Sequence, residues 1–226
     1  MKRILMAVSL LLAGLAGYSQ SKKLVIHSLT GLSFPGAGDL NDVLRPAGLL
    51  EVGSVYFSRG AGFYTTFPKL RLVSMTSFQS YSGTKEKDRK SSSVRGTQIG
   101  TSLGLQLTRR EGLELVPFAG LAYSFFGVRS ASFSPAANTP VFNYLQAGSN
   151  QNHISTNQWM GQVGVQLVKE GVGQSRIGQR LAIGARTGIY LPFGDAKWKT
   201  NDTDLANGPK VNSGGYYLSL LFGFVQ

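Results

Sequence analysis

The sequence predicts an all-β chain, an eight-stranded antiparallel transmembrane β-barrel in up-and-down meander order. Three observations carry that expectation. Five segments alternate bulky apolar residues with small or polar ones at period two. Glycine is abundant and charge scarce, with 29 Gly in 226 residues and 15% charged residues, against about 7% and roughly a quarter in ordinary globular chains. The connections between the alternating segments are short and long in turn. A mean hydropathy of −0.02 is too polar for a bundle of membrane helices. A barrel reconciles these facts, because half of each strand meets lipid and half meets a polar lumen.

The chain opens "MKRILMAVSLLLAGLAGYSQ". Lys2 and Arg3 form a positive start, Ile4 to Leu15 a short apolar run, and Gly17 and Ser19 supply small residues before Gln20. That order predicts a secretory signal peptide over 1–19, cleaved on export by the Sec route, and a barrel over 20–226. The apolar run falls short of the roughly 20 residues that a spanning helix needs. There is no Cys in the chain, so neither a lipoprotein anchor nor disulfide stabilisation is expected. The formal charge is +12, and +10 once Lys2 and Arg3 leave with the leader. A basic balance suits nucleic acid in other settings; in an exported chain its natural anionic partner is lipid phosphate.

The strand pattern is plainest at the C-terminus, in "GGYYLSLLFGFVQ". Tyr216, Leu218, Leu220, Phe222 and Phe224 share one parity, and Tyr217, Ser219, Leu221, Gly223 and Val225 the other. Alternate side chains of a strand point to opposite faces. The same rule runs through "QIGTSLGLQLT", "LELVPFAGLAYSF", "WMGQVGVQLV" and "RLAIGARTGIYL". In each, one face is aliphatic and aromatic, and the other is Gly, Ser, Gln and an occasional charge. The second face lacks the long charged side chains of a solvated surface, and it suits the narrow inside of a small barrel. Strands are expected near 23–34, 52–66, 69–81, 95–108, 113–128, 156–168, 177–191 and 213–225. Arg59 shares parity with Phe57 and Phe63, the third segment shows no clean parity, and Pro117 removes a ladder donor from the fifth.

Short gaps near Phe67–Lys69, Arg109–Gly112 and Lys169–Arg176 alternate with long ones at 35–51, 82–94, 129–155 and 192–212. This is the asymmetry of periplasmic turns and external loops, with both termini periplasmic. On that orientation Tyr81, Phe125, Trp159, Tyr190 and Tyr216 gather near the external ends, and Phe67, Phe222 and Phe224 near the periplasmic ends, as two interfacial girdles. In "PGAGDLNDVLRPAG", Asp39 is placed to cap a short helix ending at Pro46, beside the alternative of an irregular Pro/Gly loop.

The exported N-terminus, the eight alternating segments and the stretches "LVPFAGLAYS" and "GYYLSLLFGF" resemble the outer-membrane β-barrel superfamily, such as the transmembrane domain of outer membrane protein A. The resemblance implies insertion by a barrel-assembly machinery that reads an aromatic C-terminal strand. Here Val225–Gln226 follow the last aromatic, Phe224. It implies a structural role or binding by surface loops, with outer-membrane lipids and lipopolysaccharide phosphates as partners.

Chemistry is sparse. Two His, His27 and His153, and no Cys leave a metal cluster unsupported, and no cofactor is expected. His153 and Ser155 share a parity and resemble the His-x-Ser pair of small barrels that deacylate lipid A. Glu170 is expected at the opposite membrane edge, so Asp195, Asp202 or Asp204 would have to orient the His; the sequence favours no enzyme activity. Glu114, Arg71, Arg180 and Arg186 are lumen candidates, with Glu114 and Arg180 as the first pairing. Lys85, Lys87, Arg89 and Lys90, with Arg95 beyond them, are candidate contacts to lipid phosphates. Eight strands leave a lumen too narrow for a general pore. The rival reading is a soluble exported barrel holding an apolar ligand.

Overall fold

The computed structural model describes residues 23–88, 90–110, 112–131, 151–173, 175–200, 203–206 and 208–226. The expected signal peptide lies outside the described residues. In chain order the elements are β1 (Lys23–Gly36), α1 (Gly38–Leu44), β2 (Tyr56–Phe67), β3 (Leu72–Lys87), β4 (Lys90–Leu105), β5 (Thr108–Arg110) and β6 (Leu113–Ala131). They continue with β7 (Gln151–Glu170), a 3₁₀ turn (Gly178–Arg180), β8 (Leu181–Pro192), β9 (Trp198–Thr200), β10 (Thr203–Leu205) and β11 (Asn212–Val225). Eight long antiparallel strands, β1, β2, β3, β4, β6, β7, β8 and β11, each pair with their chain neighbours, and β11 pairs back to β1 to close the barrel.

Hydrogen-bonded partners can be followed once round the wall. From Leu167 the path runs through Ala185, Leu220, Thr30, Arg59, Ser80, Thr97 and Phe125, and returns to β7 at Asn157. The stagger is therefore ten residues. With strands about 4.8 Å apart and about 3.3 Å per residue, eight strands so staggered tilt by about 40° from the barrel axis, inside the range of closed barrels.

The alternation read from the sequence resolves into an outside and an inside. Leu121, Val163 and Leu220 stand 45%, 49% and 52% exposed on the outer wall, whereas Gln98, Gln162 and Gln166 are each 1% exposed within. A soluble barrel holding an apolar ligand would reverse those faces. Among the described residues nothing covers the greasy set, which is the arrangement of a wall solvated by lipid.

The irregularities of the sequence each find a physical place. Arg59 does point outward, and its guanidinium lies 5.2 Å from the ring centroid of Phe57, one pair nearer the long-connection end. It lays its stem along the apolar wall and carries its charge away from the middle. On β3 the outward positions include Ser74, Thr76 and Ser80, which hides the parity. Their neighbourhood stays satisfied by hydroxyl-to-carbonyl bonds, Ser80 Oγ to Gly96 O at 3.2 Å and Thr101 Oγ1 to Met75 O at 3.3 Å. Pro117 falls where β6 changes partners. Its neighbour Phe118 is the last residue opposite β4, and Leu115 takes up pairing with Thr108 of β5. No ladder donor is needed at the break.

Three expected boundaries are corrected. The second strand begins at Tyr56, after a coil that belongs to the first long connection. Residues 82–94 form no loop: β3 and β4 stay paired out to Lys87 opposite Lys90, and the chain reverses at Asp88 with φ 50°. β6 and β7 likewise stay paired to Ala131 opposite Gln151. Above the membrane the outer face of these ribbons is polar, and only Val94, Phe126, Val128 and Ile154 at their base turn apolar side chains inward, so no long hydrophobic period marks them.

Candidate functional site

The lumen is filled, and it is filled differently along its length. Near the short-turn end, Lys23 and Glu170 form an ion pair, and Tyr64 donates its hydroxyl proton to Glu170 Oε1 at 3.0 Å. Glu114 is buried beside them. Further in stands Arg186, only 1% exposed. Its guanidinium lies 4.4 Å over the Phe118 ring and reaches Ser102 Oγ at 3.5 Å through Nη2. No carboxylate pairs with Arg186 among the described residues. Its buried charge is held by the Phe118 ring and the Ser102 hydroxyl. Above it, Gln162 Nε2 donates to Tyr217 Oη at 2.8 Å and to Tyr190 Oη at 3.2 Å, and Gln79 Nε2 donates to Ser219 Oγ at 2.8 Å and Ser58 Oγ at 3.0 Å. Each bridge ties two or three strands across the interior.

At the long-connection end, the mouth, the interior turns apolar. The first connection folds inward rather than lying as an irregular loop. Leu40 and Leu44 of α1 are buried in one cluster with Tyr56, Tyr81, Phe126 and Trp198. Asp39 sits in the first turn of α1, but the N-cap position is Ala37 and no side chain caps it. The coil after α1 is fixed by Asn41, whose amide bonds both the N–H and the carbonyl of Val52 at 2.9 and 3.2 Å. Arg45 meets Glu51 at 2.6 Å, and that carboxylate raises the Arg45 pKa. Lys90 Nζ donates to Gly48 O at 2.6 Å and fastens the plug to the β3–β4 ribbon. Trp198 is 1% exposed, with its indole N–H on Pro209 O at 2.7 Å and its ring edge-on to Phe126.

The outer wall carries a cleft of about 670 Å³ near the mouth, over β3, β4, β6, β7 and β9. Its rows follow from the ladder. Thr97, Phe125 and Asn157 lie side by side; next come Arg95, Gly127, Ser155 and Lys199; above those are Ser93, Arg129 and His153. Arg95, Arg129, His153 and Lys199 are all exposed. A second cleft, of about 700 Å³, lies at the other end between the 3₁₀ turn and Phe224 and includes Arg176 and Arg180.

Of the lumen candidates, Arg186 and Glu114 are inside. Arg180 stands exposed in the 3₁₀ turn, away from Glu114, because the strand starts one residue after it. Arg71 is exposed in the β2–β3 turn at φ 52° and lends the lumen nothing. Glu170 and Tyr64 were missed, although their parity with the inward residues of β7 and β2 marks them. Lys85, Lys87 and Lys90 share the inward parity of Tyr81 and Val94, so they rise above the mouth rather than over the lipid-facing wall. Arg89 lies outside the described residues. Of the expected outer girdle, Phe125, Trp159 and Tyr216 are on the wall, but Tyr81 and Tyr190 are lumen residues, 2% and 3% exposed. His153 and Ser155 share the outer face. Among the described residues no hydrogen bond joins them, and no carboxylate meets His153. Asp204 and Asp195 are engaged by Lys199 and Lys210, and Asp202 lies outside the described residues.

No family model matches the sequence, and no curated protein matches it. Solved structures do match in three dimensions. A major outer membrane protein from Thermus thermophilus aligns with a TM-score of 0.56 at 13% identity, over 91% of this chain and 98% of that one. The chain has the fold of the small outer-membrane β-barrels. Ail, the attachment invasion locus protein of Yersinia pestis, aligns at 0.49 and 10% identity over 92% of this chain and 100% of that one. CarO2 of Acinetobacter baumannii aligns at 0.42 and 9% over 90% and 99%. For this small outer-membrane barrel, eight strands and a stagger of ten describe a wall whose interior accommodates side chains and little else.

Proposed function

We propose that the chain resides in the outer membrane, forms no general pore, and acts through its external surface, structurally or by binding there. One observation carries this reading: the interior is filled from Glu170 to Trp198, and α1 closes the mouth. A conducting barrel keeps a polar, open path, and here Leu40 and Phe126 occupy it. What the protein presents is therefore its outer wall and its tall ribbons.

Lipids of the outer leaflet are the proposed partners, with lipopolysaccharide phosphates meeting the cations that stand on the outer wall near the mouth rather than the Lys85 and Lys87 run above it. The assembly machinery would read β11, whose outward face holds Tyr216, Phe222 and Phe224. No catalytic activity is proposed. Single-protein conductance in a planar bilayer tests the reading. The expected trace stays closed, with brief flickers at most; large, steady open currents would refute it.

A further inference from the structure

We propose that the outer-wall cleft around Gly127 holds a phosphate carried on the saccharide headgroup of an outer-leaflet lipid. This rests on the external-surface reading above and names the ligand and the place.

The floor of the cleft is bare by sequence. Gly127 has no side chain, and a Cβ built there meets nothing nearer than His153 Nε2 at 3.6 Å. Its neighbour Ser155 is short. Arg95 lies directly opposite Gly127 on one side, and Lys199 directly opposite Ser155 on the other. Three strand spacings separate these two cations, about 14 Å. That is wide enough for a sugar ring, and both long side chains can close on it. Arg129 stands one row above. No carboxylate lines the cleft among the described residues. The nearest acid is Asp204, 3.4 Å from Lys199, and both groups are solvent-exposed, so that pair holds its partners weakly. Guanidinium groups bind phosphate through paired N–H donors, and two of the three cations are arginines.

The lower lip identifies the source. Phe125 lines the cleft and leads down the wall to Tyr123 and Trp159, with ring centroids 4.9 Å apart at each step. Below them the wall is aliphatic. Aromatic side chains mark the membrane interface, so the cations sit at headgroup height, and a ligand in the cleft has hydrocarbon alongside. A soluble phosphate would have no use for that lip. The Lys85 and Lys87 pair, on the mouth side, has no such floor and no such lip.

The test uses the folded protein in detergent micelles, with lipid retention read by native mass spectrometry. The probes are bisphosphorylated lipid A, the same lipid dephosphorylated, and inorganic phosphate as competitor. Wild type should retain the bisphosphorylated lipid at least tenfold better than the dephosphorylated one. Arg95→Gln with Arg129→Gln should abolish that preference, and Lys85→Gln with Lys87→Gln should keep it. Gly127→Leu, which has space to fold, should block retention by occupying the floor. Equal retention by wild type and the arginine pair variant, with heat-modifiable folding intact in both, would overturn the site. Displacement by inorganic phosphate as readily as by added lipid would overturn the lipid assignment. Conductance on the same samples reads the closed interior separately, so failure here leaves that result standing and distinguishable.

Discussion

The two faces of β7 differ by one residue of register and by almost everything else. Outward stand Trp159, Val163, Val165 and Leu167, each close to half exposed; inward stand Gln158, Gln162, Gln166 and Glu170, each nearly or fully buried. The outer face needs only to be apolar and of any bulk, since lipid adapts to it. The inner face must fit a fixed diameter and satisfy every polar atom it brings. Tolerance to change should therefore split along the same line.

Glycines give the largest split. Gly164 points inward, where a Cβ would come within 2.3 Å of Thr187 O and 2.6 Å of the Phe118 ring. Backbone oxygen cannot step aside. Gly164→Leu should cost more than about 4 kcal/mol and yield no heat-shifted band on a gel. Gly161 points outward, and its Cβ would meet the Phe193 ring at 3.2 Å and Leu191 O at an ordinary 3.8 Å. Gly161→Leu should fold with a loss under about 1 kcal/mol, measured by urea titration in micelles. Equal effects at the two sites would break the comparison.

Charge sharpens it from the other side. Val163→Arg places a cation in the lipid-facing band and should cost about 2–4 kcal/mol; at Asn157, nearer the mouth on the same strand, the same side chain should cost about 0–1 kcal/mol. Leu40→Ala removes a fully buried plug residue. It should lower stability by about 2 kcal/mol and raise the frequency of conductance flickers without steady opening. A smaller effect than the plug's belongs to Tyr64→Phe, which deletes one hydrogen bond to Glu170. About 1 kcal/mol is expected from thermal or urea unfolding.

Legibility in the sequence followed the membrane. Where a strand crosses hydrocarbon, one face must be greasy and the other small, so β4, β6, β7, β8 and β11 could be read by eye. Where β3 places Ser74 and Thr76 outward, the polar contrast between its faces is lost, and where ribbons rise into water beyond Tyr81 and Phe125, the outer face no longer has to be greasy. The same loss of period misplaced the cations. Lys85 and Lys87 were conspicuous as a charge run, but their parity turns them toward the mouth. Arg95 and Arg129 were single charges whose parity with Ile99 and Phe125 already set them on the wall. Arg180 was taken for lumen because it continued an inward series, and a 3₁₀ turn ends that series just before β8. The plug was half visible: Asp39 and Pro46 bracketed a short helix set beside the reading of a plain Pro/Gly loop, but nothing local tells a chain that its Leu40 will meet Phe126 and Trp198.

The chain has no cysteine, so single cysteines placed on the two faces of the wall can report which one meets lipid without a background. Leu121, Val163 and Leu220 would each be replaced and labelled with a fluorophore, as would the inward Ala122, Ser124 and Gln162, and brominated phospholipid would serve as quencher. A lipid-facing outer set predicts strong quenching at the first three positions and protection at the second three. Protection at Leu121 and Val163 with quenching at Ala122 and Gln162 would contradict it.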